Sequence, residues 1–228
     1  MASFDAVLFD LDGTLCQHDQ SEETIYFGAF DAAGIDAFGA PSDLWSALAG
    51  PPDPNNPQNY LAEGFERVAT KHGYDAVDST ALAKGFMEIV DHTAVSFRPG
   101  ALDALDAAAD AGHVGLITNG PEHRQSIKLG ALGLEEAFDV VVYAGDMPRR
   151  KPFSDPFDHA LDTLSVRAEA SLYVGNSLKF DVEGAQNAGL SAAWCPEDPE
   201  IIESMDGYQP EFVFESLHEL APVLTADD

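Results

Sequence analysis

Basic side chains are scarce in this sequence: 11 Lys and Arg stand against 40 Asp and Glu, a formal charge of −29. Nucleic acid and anionic lipid both demand concentrated cations, so no nucleic acid and no membrane is expected as a partner. Cysteine is nearly absent. The two present, Cys16 and Cys195, lie far apart and form no metal-type pair. They read as reduced, buried thiols, and the chain as a cytoplasmic one. No basic leader followed by an apolar run opens the sequence, and no apolar stretch is long enough to cross a bilayer. Internal repeats and low-complexity tracts are missing as well.

Hydrophobic content, by contrast, is an ordinary 45%. Only the surface has therefore been acidified, and the acids are spread over the whole chain. That pattern resembles halophilic proteins, adapted to near-saturated salt, where self-repulsion is screened over a few ångströms. An anionic substrate still fits, provided that cations are concentrated in its pocket. The 228 residues suffice for one large α/β domain or for a domain carrying a smaller insert, either with a proper core.

Ala6-Val7-Leu8-Phe9 is a short apolar run stopped by Asp10-Leu11-Asp12-Gly13-Thr14-Leu15, which predicts a buried strand running into a loop. From residue 16 to about 98 the pattern turns helical, with helices expected at 22–33, 59–72 and 79–95. The proline-rich stretch 51–57 between the first two cannot be a helix interior. After Pro99-Gly100 strands and helices alternate. Helices are expected at 101–111, 121–132, 155–164 and 181–188, and strands at 113–118, 139–143, 171–174 and 192–195. This grammar predicts an α/β fold with a doubly wound parallel sheet. Residues 1–15 with 99–228 would form its core and 16–98 an inserted helical domain.

In open parallel sheets ligands bind beyond the carboxyl ends of the strands. The unusual polar residues fall there: Asp10 and Asp12 after the first strand, Thr118-Asn119-Gly120 after another, Lys151-Pro152 in the loop beyond Tyr143, and Gly175-Asn176-Ser177 with Asp181 after a third. In this order and spacing the four clusters resemble the motifs of the haloacid dehalogenase superfamily. The resemblance extends to Gln125, Lys128-Leu129, Leu132-Gly133-Leu134, Phe138-Asp139 and Ala188-Gly189-Leu190, similar to the branch with a helical cap between the first two motifs.

The resemblance implies a phosphatase acting on a small phosphorylated metabolite with Mg2+ as cofactor. Asp10 would be the nucleophile and a metal ligand. Asp12 would donate and later accept the proton, its main-chain carbonyl also meeting the metal. Lys151 would balance charge, and Asp181 and the amide oxygen of Asn176 would complete the metal site. The Thr118 hydroxyl and the N–H groups of Asn119 and Gly120, near a helix start, could hold phosphate oxygens. Thr14 would support the loop. Asn176 departs from the pattern, many relatives carrying Asp there. His18 reads as a solvated loop histidine, and Arg150 could add to the cationic patch.

The rivals are a 2-haloacid dehalogenase, which needs no acid for a halide leaving group, and a phosphomutase, which shares the acyl-phosphate chemistry. A receiver-like or catalytically decayed regulatory module is the non-enzymatic alternative.

Overall fold

A computed structural model of the chain describes residues 4–48, 56–200 and 207–225. It opens with β1 (Ala6–Phe9) and a short β2 (Cys16–His18), continues through α1 (Glu22–Ala33), α2 (Pro41–Ala47), α3 (Pro57–Lys71) and α4 (Ser79–Ile89), and returns by β3 (Val95–Phe97). Then come α5 (Ala101–Ala111), β4 (His113–Thr118), α6 (Glu122–Leu132), β5 (Val140–Tyr143) and α7 (Asp155–Leu164). The described chain finishes with β6 (Ser171–Gly175), α8 (Glu183–Asn187), β7 (Ser191–Trp194), β8 (Phe212–Val213) and α9 (Leu220–Thr225). Two compact units result, Met1–His18 with Val95–Asp228, and Asp19–Ala94. Among the described residues no helix is long and apolar enough to cross a membrane. Cys16 and Cys195 are both buried and unbridged.

The first unit holds a six-stranded sheet in the order β5-β4-β1-β6-β7-β8, and every pairing is parallel. Strand side chains alternate between faces. Val7 and Phe9 of β1 therefore pack with Ala104 and Ala108 of α5 and Leu129 of α6 on one side. Leu8 packs with Phe157 and Ala160 of α7 and Ala185 of α8 on the other. Both faces being covered, the central strands read as continuous apolar runs rather than alternating ones. This is the expected doubly wound α/β core.

The described residues of the second unit, Asp19–Ala94, form helices and no strand. Tyr26 and Phe30 of α1, Phe65 of α3 and Phe86 of α4 close its core with Phe38, and the Tyr26 hydroxyl donates to the Phe38 carbonyl at 2.8 Å. Burying each such ring contributes about 1.5–3 kcal/mol. Ser21 caps α1 by accepting from the Thr24 N–H, and Gly34 ends it in the left-handed region. Pro57 occupies the first turn of α3, where its missing N–H costs nothing, behind an Asn56 cap. The rest of the proline-rich stretch, 51–55, lies outside the described residues.

The observed bounds differ from the expected ones in three places. The helix anticipated at 79–95 stops at Ile89, because the Gln20 amide donates to the Ile89 carbonyl and accepts from the Asp91 N–H, satisfying the groups a further turn would use. Val95–Phe97 instead pairs antiparallel with Cys16–His18, which places both strands in the sheet-bearing unit and moves the boundary from 16–98 to 19–94. The helix anticipated at 181–188 opens as a π-helical turn, Leu178–Val182, before α8.

Candidate active site

Strand order alone brings the polar clusters together. Because β1 lies between β4 and β6, Asp10 emerges between Thr118 at the end of β4 and the loop after β6. Its N–H donates to the Val174 carbonyl at 3.0 Å, extending the β1–β6 ladder by one residue. Asp181 enters from the π-helical turn, anchored by the Ser177 N–H at 2.9 Å. It packs so closely on Gly175 that a Cβ there would come within 2.6 Å of its carboxylate.

Lys151 joins the two acids. Its Nζ lies 2.7 Å from Asp10 Oδ1, 2.7 Å from Asp181 Oδ1 and 2.7 Å from the Tyr173 hydroxyl, and the side chain is only 2% exposed. The Tyr173 hydroxyl donates to the Ile117 carbonyl at 2.9 Å, so its oxygen is left to accept from the ammonium. Phe157 holds the Tyr173 ring edge-on at 4.9 Å. The Asn119 side chain brackets the Lys151 backbone, donating to its carbonyl at 3.1 Å and accepting its N–H at 3.0 Å. Asn119 thus serves Lys151 through its amide.

One ammonium facing two buried carboxylates leaves a net negative charge where water cannot screen it. Burial accordingly pushes the Asp10 carboxyl up to about 7, Lys151 opposing the rise and Asp181 reinforcing it. Burial acts downward on Lys151, but Asp10 and Asp181 outweigh it and hold the ammonium above its ordinary range. The Tyr173 phenol is raised well above its usual value, first by burial and then by the same two carboxylates.

Asp12 has a different setting. Lys128 Nζ approaches its Oδ1 at 2.5 Å and Gln125 Nε2 its Oδ2 at 2.7 Å. Burial alone would raise this carboxyl, yet the Lys128 charge and hydrogen bond, followed by Gln125, bring it below its ordinary value. Lys128→Met is therefore expected to bring the Asp12 carboxyl above its ordinary value, since burial would then dominate. The lowered value adds stability above the ordinary carboxylate range that is lost as pH falls through it, and the variant should lack that contribution. Carbon-detected titration of the Asp12 carboxyl by NMR checks this. An unmoved Asp12 would mean that Lys128 does not control it.

Gln125 also donates to the Thr118 hydroxyl at 2.6 Å. That oxygen accepts the Gly120 N–H at 3.2 Å too, so the Gly120 donor expected for phosphate is turned inward in this structure. The Thr118 proton is left to give.

The loop after β1 is fixed from outside. Gly13 adopts φ +78°, and a Cβ there would lie 2.2 Å from the Asn176 amide nitrogen. Arg98 donates to the Gly13 carbonyl and, at 2.8 Å, to the Pro196 carbonyl, tying this loop to the segment after β7. Asn176 accepts from the Thr14 hydroxyl at 3.4 Å and donates to Glu197 Oε1 at 2.8 Å. The side-chain oxygen expected to face a metal is thus already engaged by Thr14. Tyr173, Arg98 and Glu197 were not read from the sequence, and Gln125 and Lys128 were noticed without a role. A signal existed for Lys128: a cation spent inside a strongly acidic chain is seldom ornamental.

The family model of haloacid dehalogenase-like hydrolases matches residues 4–189. Among curated proteins, the chain is 33% identical over 127 residues to the pyrimidine 5'-nucleotidase YjjG of Escherichia coli, covering 55% of this chain and 56% of that one. It is 33% identical over 117 residues to the pyrophosphatase PpaX of Bacillus cereus, covering 49% and 51%. The matches span about half the length of these relatives. Among solved structures, the HAD-hydrolase YfnB of Bacillus subtilis, crystallised with magnesium, superposes with a TM-score of 0.73 at 22% identity over 98% of this chain and 99% of that one.

Proposed function

The chain belongs to the haloacid dehalogenase-like hydrolases, and from that premise we propose that it is a magnesium-dependent phosphatase of small organic phosphate monoesters, with Asp10 as its nucleophile. The observation that carries this reading is the buried triad in which Lys151 stands 2.7 Å from both Asp10 and Asp181, with a second aspartate two residues beyond the first. The names of the nucleotidase and pyrophosphatase relatives support the same reaction class.

The donor set suits the proposed ion. Asp10 and Asp181 are hard oxygen donors with a shared charge deficit, which the raised Asp10 carboxyl reports. Magnesium characteristically keeps several waters, so a few hard protein oxygens suffice to hold it. Asp10, Asp181 and the main-chain carbonyl of Asp12 would hold it, with Asn176 contributing only if its amide leaves Thr14. When bound, the ion neutralises the carboxylates and the phosphoryl oxygens, lowering the repulsion between them.

The residues of the chain do the rest. Lys151 orients Asp10 through Oδ1, so that the carboxylate attacks phosphorus and the phosphorus–oxygen bond to the leaving group breaks, giving an aspartyl-phosphate. Thr118 donates to a phosphoryl oxygen. Asp12 supplies the proton that the leaving oxygen needs, then takes one from the water that attacks the aspartyl-phosphate. The Lys128 contact stabilises the Asp12 anion after donation and must be exchanged before reprotonation. The helical unit Asp19–Ala94 would act as the cap that selects the leaving group, in cytoplasm of high salt.

A phosphate-release screen over sugar phosphates, phosphoglycolate and nucleoside monophosphates, with magnesium in molar potassium chloride, tests this. Turnover on the order of 10 s−1 on at least one compound is expected. No phosphate from any compound, or chloride released from chloropropionate instead, would sink the reading. A halide needs no proton, so Asp12 and its two partners favour the phosphatase over the dehalogenase.

A further inference from the structure

Arg124 stands apart from the other cations of this chain. It lies on the first turn of α6, four residues beyond Gly120, and is half-buried. Among the described residues it is the one Lys or Arg away from full exposure with no hydrogen bond or ion pair from its side chain: Arg98, Lys128 and Lys151 are all bonded, and Arg150 has a partner. The charges that act on it are those of Asp12 and Asp146. Asp146 follows β5 and is engaged by the Glu122 N–H at 2.7 Å. Arg124 precedes Lys128 by one helical turn, so it shares the face of α6 from which Lys128 meets Asp12, the acid that would serve the leaving group.

An arginine kept half-buried and unpaired, in a chain with 40 acids available to pair it, calls for a ligand. Solvating it at the surface or bonding it to a neighbouring carboxylate would be less costly. Burial pulls the guanidinium below its ordinary value, and Asp12 and Asp146 act in the opposite direction without reversing the net fall. A planar fork of donors matches a carboxylate or phosphate in bidentate fashion and has little use for a neutral sugar hydroxyl.

We propose that Arg124 binds a second anionic group, a carboxylate or phosphate on the leaving group, so that the substrates are small organic phosphates carrying two anionic ends. This rests on the phosphatase reading and narrows it. Discrimination would come from the sheet-bearing unit, through a residue that no motif includes, whereas a cap would select by the shape of what lies between the two anions. Against a surface charge of −29 such a cation also gives a dianionic ligand one of few places to land.

Binding of matched phosphonates tests the inference without relying on turnover. Phosphonoacetate and phosphonobutyrate are each compared by calorimetry with the alkylphosphonate of the same length that lacks the carboxylate, in the wild type, Arg124→Met and Arg124→Lys, with magnesium present. The wild type is expected to prefer the carboxylate-bearing ligand of at least one pair by about 30-fold, the range of one charge-assisted bidentate contact. That ratio should fall to about 2 in Arg124→Met and recover partly in Arg124→Lys. A ratio near one in the wild type for both pairs, a ratio that survives Arg124→Met, or no phosphonate binding at all would overturn the inference. Phosphate release from monoesters that carry no second anionic group judges the underlying reading separately, so the two can fail independently.

Discussion

Asp10→Asn is expected to abolish turnover and, in metal-free buffer at pH 8, to make the protein more stable. The loss of activity follows from removing the nucleophilic carboxylate, and a fall of at least about 10⁴-fold in kcat is expected. The gain in stability follows from burial. The folded protein holds this carboxyl at about 7 against an ordinary 3.8, because it is desolvated and faces Asp181. Between those values the folded state binds more protons than the unfolded one, so stability falls as pH rises through the window, and the full cost is present above it. A rise of that size corresponds to about 4 kcal/mol. The amide still accepts from Lys151 but no longer shares charge with it, so a net gain of about 1–3 kcal/mol is expected. Urea unfolding with chelator at pH 5 and pH 8 checks it: the variant should gain at pH 8 and far less at pH 5. A variant less stable than the wild type at pH 8 would show that Lys151 already balances the site.

The opposite manipulation has a larger structural effect. Lys151→Met strands two buried carboxylates and leaves the Tyr173 hydroxyl without its donor, and breaking one side of a buried pair costs about 3–5 kcal/mol. The cost should be greatest near pH 8 and should shrink toward pH 5, where Asp10 takes up a proton instead. Turnover should fall by at least about 10³-fold, since the phosphoryl group loses its fixed cation. Added magnesium should return part of the lost stability but not the activity. A pH-independent loss below about 1 kcal/mol, read from the same unfolding curves, would mean that the triad does not exist as a charged cluster in solution.

These two residues were legible in the sequence because each sits at the end of an apolar strand or in the loop beyond one, where a polar side chain has no packing reason to be. The helices and core strands were legible for a related reason: α1, α5, α7 and β4 fall where the apolar period and their flanking glycines, serines and polar residues place them. What escaped depends on contacts between distant positions. Tyr173 reads locally as one more apolar residue of a buried strand, and only the superposition of β6 beside β1 turns its hydroxyl toward Lys151. Arg98 reads as the end of the helical insert, yet its donors reach carbonyls 85 and 98 positions away. Asn176 was expected to address a metal, whereas Thr14 and Glu197 already engage its amide. The short strands β2 and β3 carry no periodic signal, being three residues each, and exist because they pair with one another.

That pairing has a further meaning. Cys16–His18 runs antiparallel to Val95–Phe97, and just beyond them the Asp19 N–H donates to the Ala94 carbonyl at 2.9 Å. The 76 residues from Asp19 to Ala94 therefore leave and rejoin the host through a doorway one hydrogen bond wide. A genetic insertion at such a point disturbs neither strand order nor register, because the host sees only a hairpin whose turn has grown. Lineages can then trade one insert for another while the Asp10, Lys151 and Asp181 machinery is inherited intact, so that recognition and chemistry evolve as separable modules.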